Sequence, residues 1–265
     1  MAITICFKRW IQAKSNSMCN ERSKLAIAWM IPEASPDSGS REQIKLVQEY
    51  LGPGEKEKYR AFYRNSRRQY EMLQTRVLAK RLIHSYLYDN YELTLNNHKE
   101  ILIANVENGE RQGKPYIVIK GNIFAELRIS LAHCRKMLGA VIGEGCLVGI
   151  DVEELKPVGQ SLLDIFLDKE EKQLLTNSFR GLDSDQKIIL LWCAKEAIGK
   201  ALGTGFSLGF SSLRFRSGGE NCSLKLELHE GLNKYLPYMN PQSYIYYDLA
   251  EETCRVLSVI RARDE

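Results

Sequence analysis

Between Gln186 and Leu202 the chain is apolar almost all the way round a helix, with Ile188, Ile189, Leu190, Leu191, Ala194, Ala197, Ile198, Ala201 and Leu202 in one run. At about 100° per residue, Lys195, Gly199, Trp192, Gly203, Glu196 and Lys200 share one arc of roughly 140°. The pattern predicts a helix buried on most sides. Its charged stripe must be paired, solvated in a cleft, or bound to a ligand. Upstream, Val148, Ile150 and Val152 alternate with Gly149, Asp151 and Glu153, which is the period of a strand with both carboxylates on one face. Such carboxylates stand about 7 Å apart at the backbone and suit shared chelation of one hard cation. Gly149 on that face leaves room for a ligand to approach the backbone.

Elsewhere the spacing predicts short helices over Glu42 to Tyr50 and Pro53 to Tyr63, and a long one from Ser66 to about Tyr88 with Leu73 and Val77, then Leu78, Leu82 and Tyr86, at steps of four. Strands are predicted at Tyr116 to Lys120, Leu127 to Leu131, Gly139 to Ile142, Leu213 to Arg216, Leu224 to His229, Tyr244 to Leu249 and Val256 to Ile260. Residues 1 to about 20 read as an extension without periodicity, and Ser35 to Ser40 as a turn-rich loop. The class is α+β, read as 1–45 (extension and start of the first half), 46–147 (first half) and 148–265 (second half, opened by the acidic strand).

Composition narrows the class. With 44% hydrophobic and 26% charged residues over 265 positions, the chain is an ordinary soluble globular protein. No apolar run approaches the roughly 18 residues a membrane helix needs, and Met1 to Trp10, broken by Lys8 and Arg9, is a poor signal peptide. Seven cysteines, at positions 6, 19, 134, 146, 193, 222 and 254, form no C-x-x-C pair. That argues against a zinc ribbon or disulfide framework and for a reducing cytoplasm. The net charge is only +4, but Lys56, Lys58, Arg60, Arg64, Arg67, Arg68, Arg76, Lys80 and Arg81 crowd the first third. They read as a solvated helix face, a nucleic-acid stripe, or a site for a small polyanion. Glu55, Glu57 and Glu71 interrupt the stripe and weigh against nucleic acid.

For the helix stripe, Glu196 and Lys200 at i,i+4 also allow a purely internal Lys-Glu-Lys ion network. Set against that, Gly149-Ile150-Asp151-Val152-Glu153 and Trp192-Cys193-Ala194-Lys195-Glu196-Ala197-Ile198-Gly199-Lys200, followed by Gly203-Thr204-Gly205 and with Glu153 and Glu196 43 residues apart, resemble the paired signature of the 4'-phosphopantetheinyl transferases, surfactin-type branch. The resemblance covers roughly residues 50 to 210. Gly113-Lys114-Pro115-Tyr116 looks like the family's G-K-P loop, Ile129-Ser130-Leu131-Ala132-His133 like its strand ending in a phosphate-binding histidine, and Arg68 to Arg76 like its helix that supplies an arginine. Ala132 and Cys134 depart from the hydroxyl residues frequent beside that histidine.

The resemblance implies a pseudo-dimer of two similar α/β halves within one chain, a monomer in solution, with coenzyme A as co-substrate and an apo acyl or peptidyl carrier protein as partner. Polyketide and aminoadipate-reductase carriers stay open. No nucleic acid and no membrane are expected as partners. It implies a Mg2+ site (Mn2+ substituting) at Asp151, Glu153 and Glu196, with Asp151, Glu196 and Lys200 catalytic. Coenzyme A would meet Lys58, Arg68, Arg76, Lys114, His133, Lys195 and Lys200, although Lys195 also reads as the partner of a carboxylate. Two other readings use the same residues. One is a magnesium-dependent nuclease or phosphohydrolase built on the three carboxylates, and the other is a basic nucleic-acid-binding module.

Overall fold

The computed structural model describes residues 23–32, 40–62, 65–177, 179, 181–205, 209, 212–218, 224–228, 234–237, 242–250 and 252–261. The extension read over residues 1 to about 20, most of the Ser35 to Ser40 loop, Tyr63 and His229 lie outside them. Contacts divide the chain into two units, Met1–Val106 with Pro115–Gly145, and Glu107–Lys114 with Cys146–Glu265.

The first unit opens with strand β1 (Lys24–Met30), followed by helices α1 (Arg41–Tyr50), α2 (Pro53–Ala61) and α3 (Ser66–Tyr91). Strands β2 (Ile101–Asn105), β3 (Pro115–Ile119), β4 (Asn122–Ile123), β5 (Leu127–His133) and β6 (Leu138–Glu144) complete it. The main sheet is antiparallel in the order β1-β6-β5, and β2-β3-β4 form a second. Helix α3 begins where the Asn65 side chain accepts from the backbone N–H of Arg68, satisfying one orphan donor of its first turn. Its Leu78, Ala79, Ile83, Tyr86 and Leu87 pack on Ala28, Ile129, Leu138, Ala140 and Ile142 of the sheet. Complete burial of one such leucine or isoleucine contributes about 1.5–3 kcal/mol. Inside the unit, Glu55 is buried and its Oε2 accepts from Lys80 Nζ at 2.5 Å.

The second unit repeats that chain order. Strand β7 (Leu147–Glu154) leads to helices α4 (Gln160–Phe166), α5 (Lys169–Asn177) and α6 (Ser184–Leu202), then to β8 (Leu213–Gly218) paired with β9 (Leu224–Leu228), β10 (Gln242–Ala250) and β11 (Thr253–Arg261). The sheet order β10-β11-β7 matches β5-β6-β1 of the first unit, again antiparallel. Apart from the short β4 of the first unit, each unit is therefore a strand, two short helices, a long helix, a hairpin and two further strands, with the long helix lying on the sheet. This is the α+β architecture of two similar halves.

Helix α6 starts on a capping box, Asp183 accepting from Gln186 N–H and Gln186 accepting in return from Asp183 N–H. It ends at Gly203, whose φ of 82° is the left-handed conformation glycine adopts without strain. Ile188, Ala194, Ile198 and Leu202 join Ile245, Cys254, Val256 and Ile260 in one apolar cluster. The sequence prediction missed β1, β2, β4, α4 and α5. Cys134, Cys146, Cys193 and Cys254 are buried and in no disulfide. Among the described residues no helix is long and apolar enough to cross a membrane.

Candidate active site

Strand β7 alternates as its sequence predicts, but both of its faces are covered. Val148, Ile150 and Val152 are buried on one side. On the other, Gly149 lies under helix α6, so closely that a Cβ there would overlap the Ala197 carbonyl oxygen and stand 2.6 Å from the Ala201 nitrogen. The glycine admits a helix and leaves no room for a ligand there, which corrects the expectation drawn from sequence. Ala197 and Ala201, with only methyl side chains, allow the same close approach from above.

This packing carries the polar stripe of α6 onto the carboxylates of β7. Asp151 is 4% exposed, and its Oδ1 accepts from Lys200 Nζ at 2.6 Å. Lys200 also stands 3.6 Å from Glu196 Oε2, one helical turn back. The second oxygen of Asp151, Oδ2, is buried with no hydrogen-bond partner among the described residues. Burial pushes the Glu196 carboxyl up to about 7, with Asp151 adding to it and Lys200 opposing. Glu153 is raised by burial and then by Asp151. Burial alone would lower Lys200, but Asp151 and Glu196 outweigh it and hold the ammonium above its usual range. The cluster thus crowds negative charge beyond what one lysine offsets. Its all-oxygen donors suit a hard cation, and a buried carboxylate oxygen without a partner is an unmet demand for one. Among the described residues no three His, Cys, Asp or Glu side chains converge as a ready-made metal cage, and Lys200 contacts both Asp151 and Glu196. Trp192 packs edge-on against Phe166, ring centroids 5.4 Å apart, as a wall of the core.

The other predicted residues fall in different places. Lys195 is wholly buried and donates to Glu171 Oε2 at 2.9 Å and the Phe166 carbonyl at 2.7 Å. It belongs to an internal ion pair, the alternative its sequence context had left open. Arg76 is likewise turned inward, 8% exposed and 3.6 Å from Glu55. Lys114 donates to the carbonyl of Ala201 at the end of α6 and packs against Gly203. His133 is exposed at 54% of its side chain and stands 3.7 Å from Glu71, which also binds Arg67 Nε at 2.7 Å. Arg68 is exposed in the first turn of α3. Lys58 is exposed and donates to Asn105 Oδ1. The structure therefore gathers Asp151, Glu196 and Lys200 directly, with Glu153 in their field, and Arg67, Glu71 and His133 separately. Sequence reasoning missed Glu55, Lys80 and Glu171, whose signal is a glutamate at the third position of a helix three residues after Gly52 or Asp168.

A family model described as the 4'-phosphopantetheinyl transferase superfamily matches residues 147–236, which include every residue of the Asp151 cluster. The chain is 28% identical over 199 residues to the 4'-phosphopantetheinyl transferase psf-1 of Bacillus pumilus, covering 73% of this chain and 76% of that protein. Over residues 147–236 the chain is similar to the 4'-phosphopantetheinyl transferase superfamily. A second relative, the 4'-phosphopantetheinyl transferase ffp of Bacillus subtilis, is 25% identical over 178 residues, covering 67% of this chain and 71% of that protein. Among solved structures the chain is similar to the holo-[acyl-carrier-protein] synthase of Thermotoga maritima, at 25% identity and a TM-score of 0.36, with 44% of this chain and 65% of that one covered. The Helicobacter pylori synthase in complex with coenzyme A gives 20% identity and a TM-score of 0.35, with 43% and 98% covered.

Proposed function

We propose that this transferase moves the 4'-phosphopantetheine arm of coenzyme A to a serine of an apo carrier protein and releases adenosine 3',5'-bisphosphate. The observation that carries the reading is the Asp151, Glu153, Glu196 and Lys200 cluster, formed where β7 meets α6 inside the family-matched segment. The serine oxygen attacks the β-phosphorus of coenzyme A, and the bond from that phosphorus to the bridging oxygen breaks. The serine proton passes to Glu196, whose carboxyl near 7 suits a general base at neutral pH. Lys200, charged and one turn along, neutralises the oxygen that departs on the nucleotide. Such transfers rest on positioning and charge neutralisation more than on covalent catalysis.

The donor set and the unpartnered Asp151 Oδ2 fit Mg2+, which Asp151, Glu153 and Glu196 would hold. When bound it supplies charge neutralisation to the pyrophosphate. Arg68 and His133, exposed and cationic or protonatable, are assigned to the 3'-phosphate, and Lys114 and Lys58 to the rest of the nucleotide end. The buried Lys195 and Arg76 are not assigned to coenzyme A.

The test is incubation with apo acyl, peptidyl and polyketide carriers, coenzyme A and Mg2+, followed by intact mass. Gain of one phosphopantetheine on a carrier, absent without coenzyme A or with excess chelator, is expected. Release of free phosphopantetheine or cleavage of nucleotides with no carrier modified would instead establish the hydrolase reading.

A further inference from the structure

A buried glutamate–lysine lock occurs once in each unit, built from the same parts. In the first, Lys80 of α3 donates to the carbonyl of Tyr50, the last residue of α1, at 2.6 Å and to Glu55 in the first turn of α2 at 2.5 Å. The other oxygen of Glu55 accepts from the backbone N–H of Ile103 in β2, and Glu55 also takes the N–H of Gly52. In the second, Lys195 of α6 donates to the carbonyl of Phe166, the last residue of α4, and to Glu171 in the first turn of α5. Glu171 in turn accepts from the N–H of Phe215 in β8 at 3.1 Å and from the N–H of Asp168 at 3.1 Å. Long helix, end of one short helix, start of the next and first strand of the hairpin are thus joined at one point in each unit.

The parts are fully desolvated. Lys80 and Lys195 are each 0% exposed, and Glu55 and Glu171 each 1%. A charge so placed holds only if its hydrogen bonds are complete. In the second unit they nearly are. Lys195 donates to two oxygens and lies 5.9 Å from the centre of the Phe215 ring, while Glu171 accepts three bonds. A lysine fixed by two acceptors on one side of α6 sets the rotation of that helix about its axis. The next residue in the chain is Glu196, and Lys200 follows a turn later on the same arc. Rotation of α6 would carry both away from Asp151.

We propose that Lys195 is a positioning residue for the transfer reaction, fixing through its lock to Glu171 and Phe166 the direction in which helix α6 presents Glu196 and Lys200. It acts through the helix and does not touch coenzyme A. The inference rests on the transferase reading of the Asp151 cluster. The first unit isolates the structural part of the role, because its lock has the same form although Lys80 is followed by Arg81 and then by Ser85, where Lys195 is followed by Glu196 and Lys200. The lock is the frame, and only in the second unit does it carry reacting groups.

The test compares wild type with Lys195→Met/Glu171→Gln, which removes both charges together and leaves neither unpaired. Ile245→Ala, a core truncation on β10, serves as the stability control. Activity per folded molecule is measured with a carrier that the wild type modifies, varying coenzyme A. A displacement of about 1 Å at a reacting centre costs on the order of 100-fold. The double variant should therefore lose about that much kcat while KM for coenzyme A stays within about twofold. Ile245→Ala should lose thermal stability and keep its kcat. A raised KM with kcat retained would make Lys195 a coenzyme A ligand and overturn the proposal, as would unchanged constants. Lys195→Arg carries the same test if the double variant does not fold, since a planar guanidinium does not reproduce the ammonium's two bonds; a partial kcat loss supports the lock and wild-type kcat overturns it. A wild type that modifies no carrier removes the transferase reading itself, and the proposal with it.

Discussion

The ammonium of Lys200 reaches 49 residues back along the chain to Asp151 and binds its Oδ1 at 2.6 Å, while Oδ2 of the same carboxylate has no partner among the described residues. One carboxylate thus serves two purposes. One oxygen anchors the helix lysine, and the other is a buried acceptor with unmet charge.

Replacing Asp151 by Asn preserves the shape and removes the charge. We expect kcat for carrier modification to fall by about 10²–10³-fold, the usual loss when one preorganised charge-stabilising group is removed. Circular dichroism melting should show a small change by comparison. Full turnover of Asp151→Asn at saturating Mg2+ would remove Asp151 from the reacting centre.

The pH dependence of stability follows from Glu196. Its folded-state pKa of about 7 lies above the ordinary carboxylate value of 4.5. The folded protein therefore holds the proton more tightly than the unfolded chain does. The resulting stability is fully present below about 4.5 and is lost as pH rises through about 7. In the presence of excess chelator, Tm should decline between pH 5 and pH 8, and the raised Glu153 works in the same direction. Glu196→Gln should flatten that decline. An equal slope in both proteins would contradict the raised value.

Gly149→Ala tests the packing that builds the site. The added methyl would meet the backbone of Ala197 and Ala201, which cannot swing aside as a side chain would. Overpacking of this kind costs about 1–3 kcal/mol or more, and urea unfolding should report at least that. A variant as stable as wild type would mean that α6 can lift from β7 without penalty.

Arg68 carries the proposal for the 3'-phosphate. Arg68→Ala should raise KM for coenzyme A about tenfold, the equivalent of one charge-assisted bond. Dephospho-coenzyme A should be a poorer substrate than coenzyme A for wild type and nearly equal to it for the variant. Equal losses with both substrates would direct attention to Lys58 or His133 instead.

The site was more legible in the sequence than the surrounding fold. Alternation around Asp151 and Glu153 and the apolar run around Glu196 and Lys200 are local patterns, and β7 and α6 followed from them. Local patterns do not say what covers each face. Gly149 therefore read as an opening when a helix lies on it. The arc holding Lys195 read as one charged stripe, although the two neighbours Lys195 and Glu196 face different surroundings. Arg76 misled in the same way, because its partner Glu55 lies on another helix. Strand β1 was missed because Lys24 to Met30 is edge-paired to β6 over a long sequence separation, so no hairpin joins it to its partner. The repeat of the two units left no repeat in the sequence. It survives in the element order and in the two glutamate–lysine locks.

The position of β7 at the edge of its sheet also bears on how this protein comes into being. Its neighbour in the sheet is β11, and Asp151 faces Val256 across the ladder, a pairing whose partners leave the ribosome roughly a hundred residues apart. Loop closure of that length must precede the pairing. The acid-bearing strand is thus made early, and its ladder with β11 is completed only after that closure. In the first unit β1 pairs in the same way with the distant β6. The sheet of each half is complete only when a strand from the far end of that half is added.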